Sequence, residues 1–309
     1  MFVATGAVTG PTRVIAIDAR RGRVLWRRDL PGRTSAANLA LAGDRLFVSS
    51  NGDAGTLALA VTDGRLLWTA PWFGIGAPPP VAANGIVVGS SGDLVAYSQV
   101  DGHPVWRSSG GGGGAGTAIA GDSLFLSLAC TGPQRLRLAD GSRVWLGDEP
   151  CFGPFGIPTV AGSWLLVRRG LVQVRDASSG AVVGGGWQST YAPAVAGRLG
   201  LFANAHRPRQ PLPFGHTLTA RRLPGGQVRW RFRGDGYLDS SPLIARGVGY
   251  VGSGSGRLYG LDLRTGRVRW RTDVGAPIHA SDEDEFVAGL AAADGLLLVP
   301  AYRRLVAYG

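Results

Sequence analysis

The 309-residue sequence contains no lysine. Arginine supplies all 32 basic side chains against 21 acidic ones, for a net charge of +11. There are one Met, two Cys and four His, too few and too scattered to support a zinc site. No apolar run approaches the ~20 residues of a membrane-spanning helix, and residues 1–30 hold no apolar signal-peptide core. Long helical stretches are scarce too: the chain has 50 Gly and 19 Pro, and Gly alone stands at about twice its ~7% average frequency. These absences exclude a helical transmembrane protein and a helical bundle. Disorder is excluded by a hydrophobic content of 45%, which is enough for a sizeable core. The arginine excess suits phosphate, anionic lipid or acidic polysaccharide. A GC-rich coding bias that writes Arg for Lys is the simpler explanation, and no specific nucleic-acid recognition is expected.

What is present is a repeat. A strand, a short turn ending in Gly, three residues and then Trp recur as VIAIDARRGRVLW at 14–26, LALAVTDGRLLW at 57–68 and LVAYSQVDGHPVW at 94–106. The phrase returns as RLRLADGSRVW at 135–145, LTARRLPGGQVRW at 218–230 and LYGLDLRTGRVRW at 258–270. A seventh copy, VQVRDASSGAVVG at 172–184, has Gly184 where Trp is expected. The turn glycines Gly22, Gly64, Gly102, Gly141, Gly180, Gly226 and Gly266 are 42, 38, 39, 39, 46 and 40 residues apart. A period near 40 with short alternating strands is the mark of propeller blades. In the copy at 258–270, Asp262 is placed to cap the turn and Gly266 to take its positive φ. Trp26, Trp68, Trp106, Trp145, Trp230 and Trp270 end the other six copies, and their large apolar rings are expected to dock against neighbouring blades.

The pattern A-x-D-x-x-T-G-x-x-x-W resembles the tryptophan-docking repeat of pyrroloquinoline-quinone-like (PQQ-like) β-propellers. Residues 258–270 match it with Gly260 in place of Ala, and residues 14–26 with Arg21 in place of Thr. The resemblance implies one all-β propeller domain over residues 1–309. It also admits two functional classes: quinoprotein dehydrogenases, and non-catalytic scaffolds such as the outer-membrane assembly lipoprotein BamB or kinase-linked sensor domains. Residues 287–309 supply three strands and stop before an outer strand, whereas residues 2–28 supply three and lack an inner one. The expectation is therefore eight four-stranded blades with both terminal blades incomplete. A seven-bladed alternative leaves two strands unplaced. A chain that begins inside a blade also raises the expectation of a missing N-terminal piece, with a signal or anchor upstream.

Second-to-third and fourth-to-first loops emerge on one face of such blades, and loops on a rigid scaffold carry binding. The fourth-to-first loops hold Trp72, Phe73, Phe152, Phe155, Trp187, Tyr191 and Tyr237, side chains of the kind used at protein and sugar interfaces; the alternative is that they fold inward. A long loop in the sixth blade adds His206, Arg207, Arg209 and His216. Asp282, Glu283 and Asp284 form a weak Ca²⁺ candidate whose spacing matches no calcium loop. Cys130 and Cys151 both flank the loop face of the fourth blade. A disulfide between them is expected, with an oxidising compartment such as the periplasm or cell exterior; two free thiols are the alternative. Outer-strand arginines, namely Arg23, Arg27 and Arg28, Arg229, Arg231 and Arg233, and Arg267, Arg269 and Arg271, guard blade edges against aggregation or form a basic flank for an anionic partner.

A quinoprotein dehydrogenase resembling this repeat would need a quinone pocket, Ca²⁺ and an Asp to take the alcohol proton. Many alcohol-oxidising members carry adjacent cysteines, which this chain lacks, and it is about half their usual length. The resulting expectation is a monomeric, non-catalytic scaffold or sensor domain. It would bind a protein or an anionic cell-envelope polymer through its loop face, with no cofactor. The alternative is a PQQ- and Ca²⁺-dependent alcohol or sugar dehydrogenase.

Overall fold

The computed structural model describes residues 1–5, 12–31, 34–52, 55–71, 79–91, 93–108, 116–128, 131–148, 156–205, 216–278 and 289–309. They form thirty strands in eight antiparallel sheets, and no helix occurs among them. The fold is an all-β, eight-bladed propeller, in which each sheet is ordered as its strands follow one another in sequence. Six sheets have four strands and the two terminal sheets have three, as the repeat arithmetic requires.

The chain divides into two compact units, Met1–Pro158 and Thr159–Gly309. In the first, blade one comprises β1 (Phe2–Thr5), β2 (Arg13–Asp18) and β3 (Arg23–Asp29). Blade two comprises β4 (Thr34–Ala42), β5 (Arg45–Gly52), β6 (Thr56–Ala60) and β7 (Leu66–Ala70). Blade three is β8 (Val81–Ala83), β9 (Ile86–Ser91), β10 (Asp93–Ser98) and β11 (Pro104–Ser108). Blade four is β12 (Gly116–Ala120), β13 (Ser123–Leu128), β14 (Gly132–Arg137) and β15 (Arg143–Leu146).

In the second unit, blade five comprises β16 (Thr159–Ala161), β17 (Trp164–Arg169), β18 (Leu171–Asp176) and β19 (Val182–Gln188). Blade six comprises β20 (Ala194–Ala196), β21 (Leu199–Ala205), β22 (His216–Arg222) and β23 (Gln227–Arg233). Blade seven is β24 (Leu243–Ala245), β25 (Val248–Gly252), β26 (Arg257–Asp262) and β27 (Val268–Asp273). Blade eight is β28 (Ala291–Ala293), β29 (Leu296–Ala301) and β30 (Arg304–Tyr308).

Strand position within a blade dictates composition. Third strands lie between two partners and under neighbouring blades, so TLAL in β6 and LYGL in β26 are buried on both faces. Outer strands have one free edge and alternate: in β23, Val228, Trp230 and Phe232 point inward while Arg229, Arg231 and Arg233 are exposed. The apolar core is correspondingly divided into clusters that each join two successive blades. Val14, Leu46 and Leu57 join blades one and two, and Phe47, Trp68 and Tyr97 join two and three. Leu201, Trp230 and Tyr259 join six and seven.

The repeated turn is a hydrogen-bonded unit. In blade seven the Asp262 carboxylate accepts from the backbone N–H groups of Arg264 and Thr265 and from the Thr265 hydroxyl, while Gly266 N–H closes on Asp262 O at 2.8 Å. The Arg269 guanidinium also donates to this carboxylate, and its hydrogen bonds, followed by that of the Thr265 hydroxyl, hold the Asp262 carboxyl far below the usual carboxylate range. Gly266 adopts φ +72° there, a conformation that costs glycine little.

Candidate functional site

The turn glycines serve a second purpose. The Trp26 ring lies over Gly64, Trp68 over Gly102, Trp106 over Gly141 and Trp230 over Gly266, so that a Cβ on any of these glycines would stand 2.5–2.7 Å from a ring carbon. Each ring also donates its indole N–H across to the next blade. The acceptors are Val61 O at 2.9 Å, Gln99 O at 3.1 Å, Leu138 O at 2.8 Å and Leu263 O at 2.9 Å. Ring burial and a directed hydrogen bond together lock successive blades in register. Trp145 makes a tilted contact with Phe125 of its own blade, with centroids 6.3 Å apart. Trp270 leans on its own blade's Gly260, where the missing Cβ leaves room for the indole.

Two residues expected on the loop face are instead core. Trp187 is only 8% exposed. It lies in β19, makes an edge contact with Phe202 at 5.6 Å and covers Gly226, the turn glycine of blade six. It therefore replaces the tryptophan that is missing at Gly184. The reason is a register change. The pairing of β18 with β19 shifts at Val172/Gln173 and at Val174/Arg175, and Gly185 and Gly186 take φ of 127° and 87°. The extra length of VVGGGW is absorbed there, delivering the ring three residues late. Its indole N–H has no hydrogen-bond partner among the described residues. Tyr191 is 7% exposed, packs with Leu201 and Trp230, and donates its hydroxyl to the Asp239 carboxylate. It ties a fourth-to-first loop down instead of presenting a ring to solvent.

Tyr237 has the opposite fate. It is 48% exposed and stacks on His216 with ring centroids 4.9 Å apart and planes 16° from parallel. His216 begins β22 and Tyr237 lies in the β23–β24 loop, so the start of the third strand and the fourth-to-first loop of blade six meet here. Beside them Asp235 accepts from Ser255 Oγ at 2.9 Å and Ser253 Oγ at 3.2 Å, and Arg257 Nη1 stands 3.5 Å from its carboxylate. The Asp235 N–H donates to Tyr259 Oη at 3.1 Å. Burial pushes the Asp235 carboxyl up, but hydrogen bonds from Tyr259, Ser255 and Ser253 and the charge of Arg257 outweigh it, and its pKa falls below the ordinary value. Neither Asp235 nor Asp239 stands out in the sequence. The available signal was their spacing around Tyr237 in GDGYLD, which reads as an ordinary turn until Ser253 and Ser255 are brought beside it.

Trp72, Phe73, Phe152, Phe155, His206, Arg207 and Arg209 lie outside the described residues, as do Asp282, Glu283 and Asp284 and both Cys130 and Cys151. Among the described residues no three His, Cys, Asp or Glu side chains gather as a metal-ligand set. In the second unit Arg229, Arg231, Arg233, Arg267, Arg269 and Arg271 are exposed on the outer strands of blades six and seven or at the turn leading into one. Asp262 neutralises Arg269. No acidic partner stands against the other five among the described residues.

Comparison with known proteins agrees with this architecture. A family model described as outer membrane protein assembly factor BamB matches residues 2–108, 53–150 and 215–308, well over half of the chain. The crystal structure of BamB from Moraxella catarrhalis superposes with a TM-score of 0.73 at 14% identity, covering 99% of this chain and 95% of that one. The computationally designed Ika8 protein superposes at 0.78 and 14% identity, covering 99% and 92%. Among curated proteins, the quinohemoprotein alcohol dehydrogenase ADH IIB of Pseudomonas putida is 27% identical over 161 residues, 45% of this chain. The match spans only 21% of that enzyme's length. With its docking tryptophans, turn glycines and eight sheets, the chain belongs to the PQQ-like repeat propeller family represented by that BamB model.

Proposed function

We propose that the protein is a non-catalytic propeller scaffold of the cell envelope, in which the loop face binds a protein or an anionic envelope polymer. The observation that carries this reading is the state of the carboxylates beside the exposed Tyr237–His216 stack. Asp235 is engaged by Ser253, Ser255 and Arg257 and held ionised, and Asp239 accepts from Tyr191. A carboxylate that is already hydrogen-bonded and depressed in pKa is a weak general base. An exposed ring stacked on an imidazole, by contrast, offers rigid contact area at little entropic cost. The exposed outer-strand arginines add a basic surface suited to an anionic partner. The likeness to an outer membrane assembly factor favours a protein partner and a periplasmic or envelope location.

The identity to a quinohemoprotein alcohol dehydrogenase favours a second reading, PQQ-dependent oxidation of an alcohol or sugar. Titration of the purified protein with pyrroloquinoline quinone and Ca²⁺ separates the two, followed by quinone absorbance and by melting temperature. The scaffold reading expects neither saturation nor a rise in Tm. Saturable one-to-one binding with a higher Tm would overturn it.

A further inference from the structure

We propose that the rim of blade six, at its third-to-fourth turn, is a phosphate-binding site in which the guanidinium groups of Arg221 and Arg231 clamp a doubly charged phosphate group. The first observation is a separation of charge. Residues 177–234 contain eight Arg and no Asp or Glu, so blade six is built without a carboxylate, while every other blade keeps at least one. A coding bias that writes Arg for Lys does not remove acids. Cations gathered on one blade without counter-charges favour an anion from outside.

Register supplies the second observation. Blades six and seven pair their third and fourth strands alike. Ala220 stands opposite Trp230 and Arg221 opposite Val228, as Gly260 stands opposite Trp270 and Leu261 opposite Val268. Arg222 and Arg229 thus take the places of Asp262 and Arg269, which form an ion pair in blade seven. Asp262 also caps its turn there, whereas blade six closes the same turn with Leu223-Pro224-Gly225-Gly226 and leaves the capping position to a second cation. Arg198 joins them, donating its Nε–H to Leu223 O at 3.3 Å. The carboxylate that balances blade seven has no equivalent in blade six.

The third observation is the geometry of the clamp. Alternation along β22 puts Thr219 and Arg221 on one face, and Arg231 stands opposite Thr219 on that face. Diagonal neighbours of this kind lie ~7–8 Å apart, within reach of long side chains. The Arg221 guanidinium is already oriented: its Cζ lies 5.2 Å from the centroid of the Trp187 ring, and its Nη1 donates to Gly226 O at 2.9 Å. Arg231 is exposed. Burial, and then the charge of Arg231, push the Arg221 guanidinium below its ordinary value, as two cations held near each other require. No carboxylate pairs with either among the described residues. Each guanidinium is a planar fork that matches two phosphate oxygens, and two forks balance one dianion.

This site lies at the Arg222 end of β22, whereas His216 begins that strand and stacks on Tyr237. It rests on the anionic-partner part of the proposed function for its meaning in the cell. Its test needs no partner, so a failure here leaves the loop-face reading standing.

The full chain is titrated with inorganic phosphate at low ionic strength and mildly alkaline pH, followed by calorimetry and by the arginine Nε–H signals in NMR. Saturable one-to-one binding should shift the signals of Arg221 and Arg231. Arg221→Gln and Arg231→Gln should each bind about ten-fold more weakly, the loss expected for a charge-assisted hydrogen bond. Because Arg231 is exposed, its variant tests the clamp without disturbing the core. Arg264→Gln, which removes an equal charge from the turn of blade seven, should bind as the parent does. Absent saturation, an equal loss in Arg264→Gln, or acetate binding as tightly as phosphate would overturn the proposal, since each reduces the site to bulk attraction. Sedimentation with phosphatidylcholine vesicles, with and without phosphatidic acid, then identifies the source of the phosphate. Binding to the acidic vesicles that inorganic phosphate displaces and Arg221→Gln abolishes assigns a lipid headgroup, and indifference to them assigns a soluble phosphate.

Discussion

Trp187 covers Gly226 of the following blade although no tryptophan stands at the repeat's expected position in its own blade. The same relationship joins Trp230 to Gly266. The pairing of ring and glycine is therefore the conserved physical requirement between these blades, and the spacing along the strand can give way to it.

Replacing Trp187 by Ala should cost stability on the scale of a buried aromatic, about 3–5 kcal/mol. Trp230→Ala should cost a similar amount. Urea denaturation of the two variants side by side is the check. A negligible loss for Trp187→Ala would return this residue to the loop face as a surface side chain.

Gly266 and Gly22 separate two reasons for a turn glycine. Their φ values are +72° and +65°, yet a Cβ at Gly266 would meet the Trp230 ring at 2.5 Å while Gly22 has nothing within 4 Å. Gly22→Ala should cost only the backbone strain, about 1 kcal/mol. Gly266→Ala adds the displacement of a packed ring, for a total of about 2–4 kcal/mol. Equal losses in denaturant unfolding would show that the ring contact contributes nothing.

Asp176 links the turns to pH. Hydrogen bonds from the Ser178 hydroxyl and the Ser179 backbone, with smaller contributions after them, lower its carboxyl to about 2. Because the folded value lies below the unfolded one of ~3.9, its contribution is fully present above about pH 4 and is lost as pH falls toward 2. The stability difference between the parent protein and Asp176→Asn should therefore be constant from pH 5 to 7 and shrink in more acidic solution. Carboxyl NMR titration of Asp176 gives a direct reading of the same shift.

Tyr237→Ala should leave stability within about 0.5 kcal/mol, as befits an exposed position. It should weaken capture of any loop-face partner at least several-fold. Partner binding that leans on the outer-strand arginines should in addition weaken with rising salt. Salt-insensitive binding would remove the basic flank from the interface.

The blades were legible because their cause is local. Gly266 at positive φ, Asp262 capping it and alternation such as Val228, Trp230 and Phe232 are each properties of a few neighbouring residues, and they recur every 40 or so positions. The strand count at both ends followed from the same period. The docking tryptophans were equally visible, since a large ring at fixed spacing from a turn glycine has few other uses. Trp187 was misplaced because three successive glycines permit bulges whose size no pattern states. Tyr191 was misplaced because its burial depends on Asp239, 48 residues away.

The sequence by itself determined an all-β propeller of eight blades, two of them short by one strand, because period, turn chemistry and alternation are written in adjacent residues. Tertiary structure alone decided which aromatics face water: Trp187 and Tyr191 go inward and Tyr237 outward. It also decided which carboxylates are already engaged. Burial and hydrogen-bond satisfaction are set by what another blade brings to the same place, and that is a matter of packing between segments far apart in the chain.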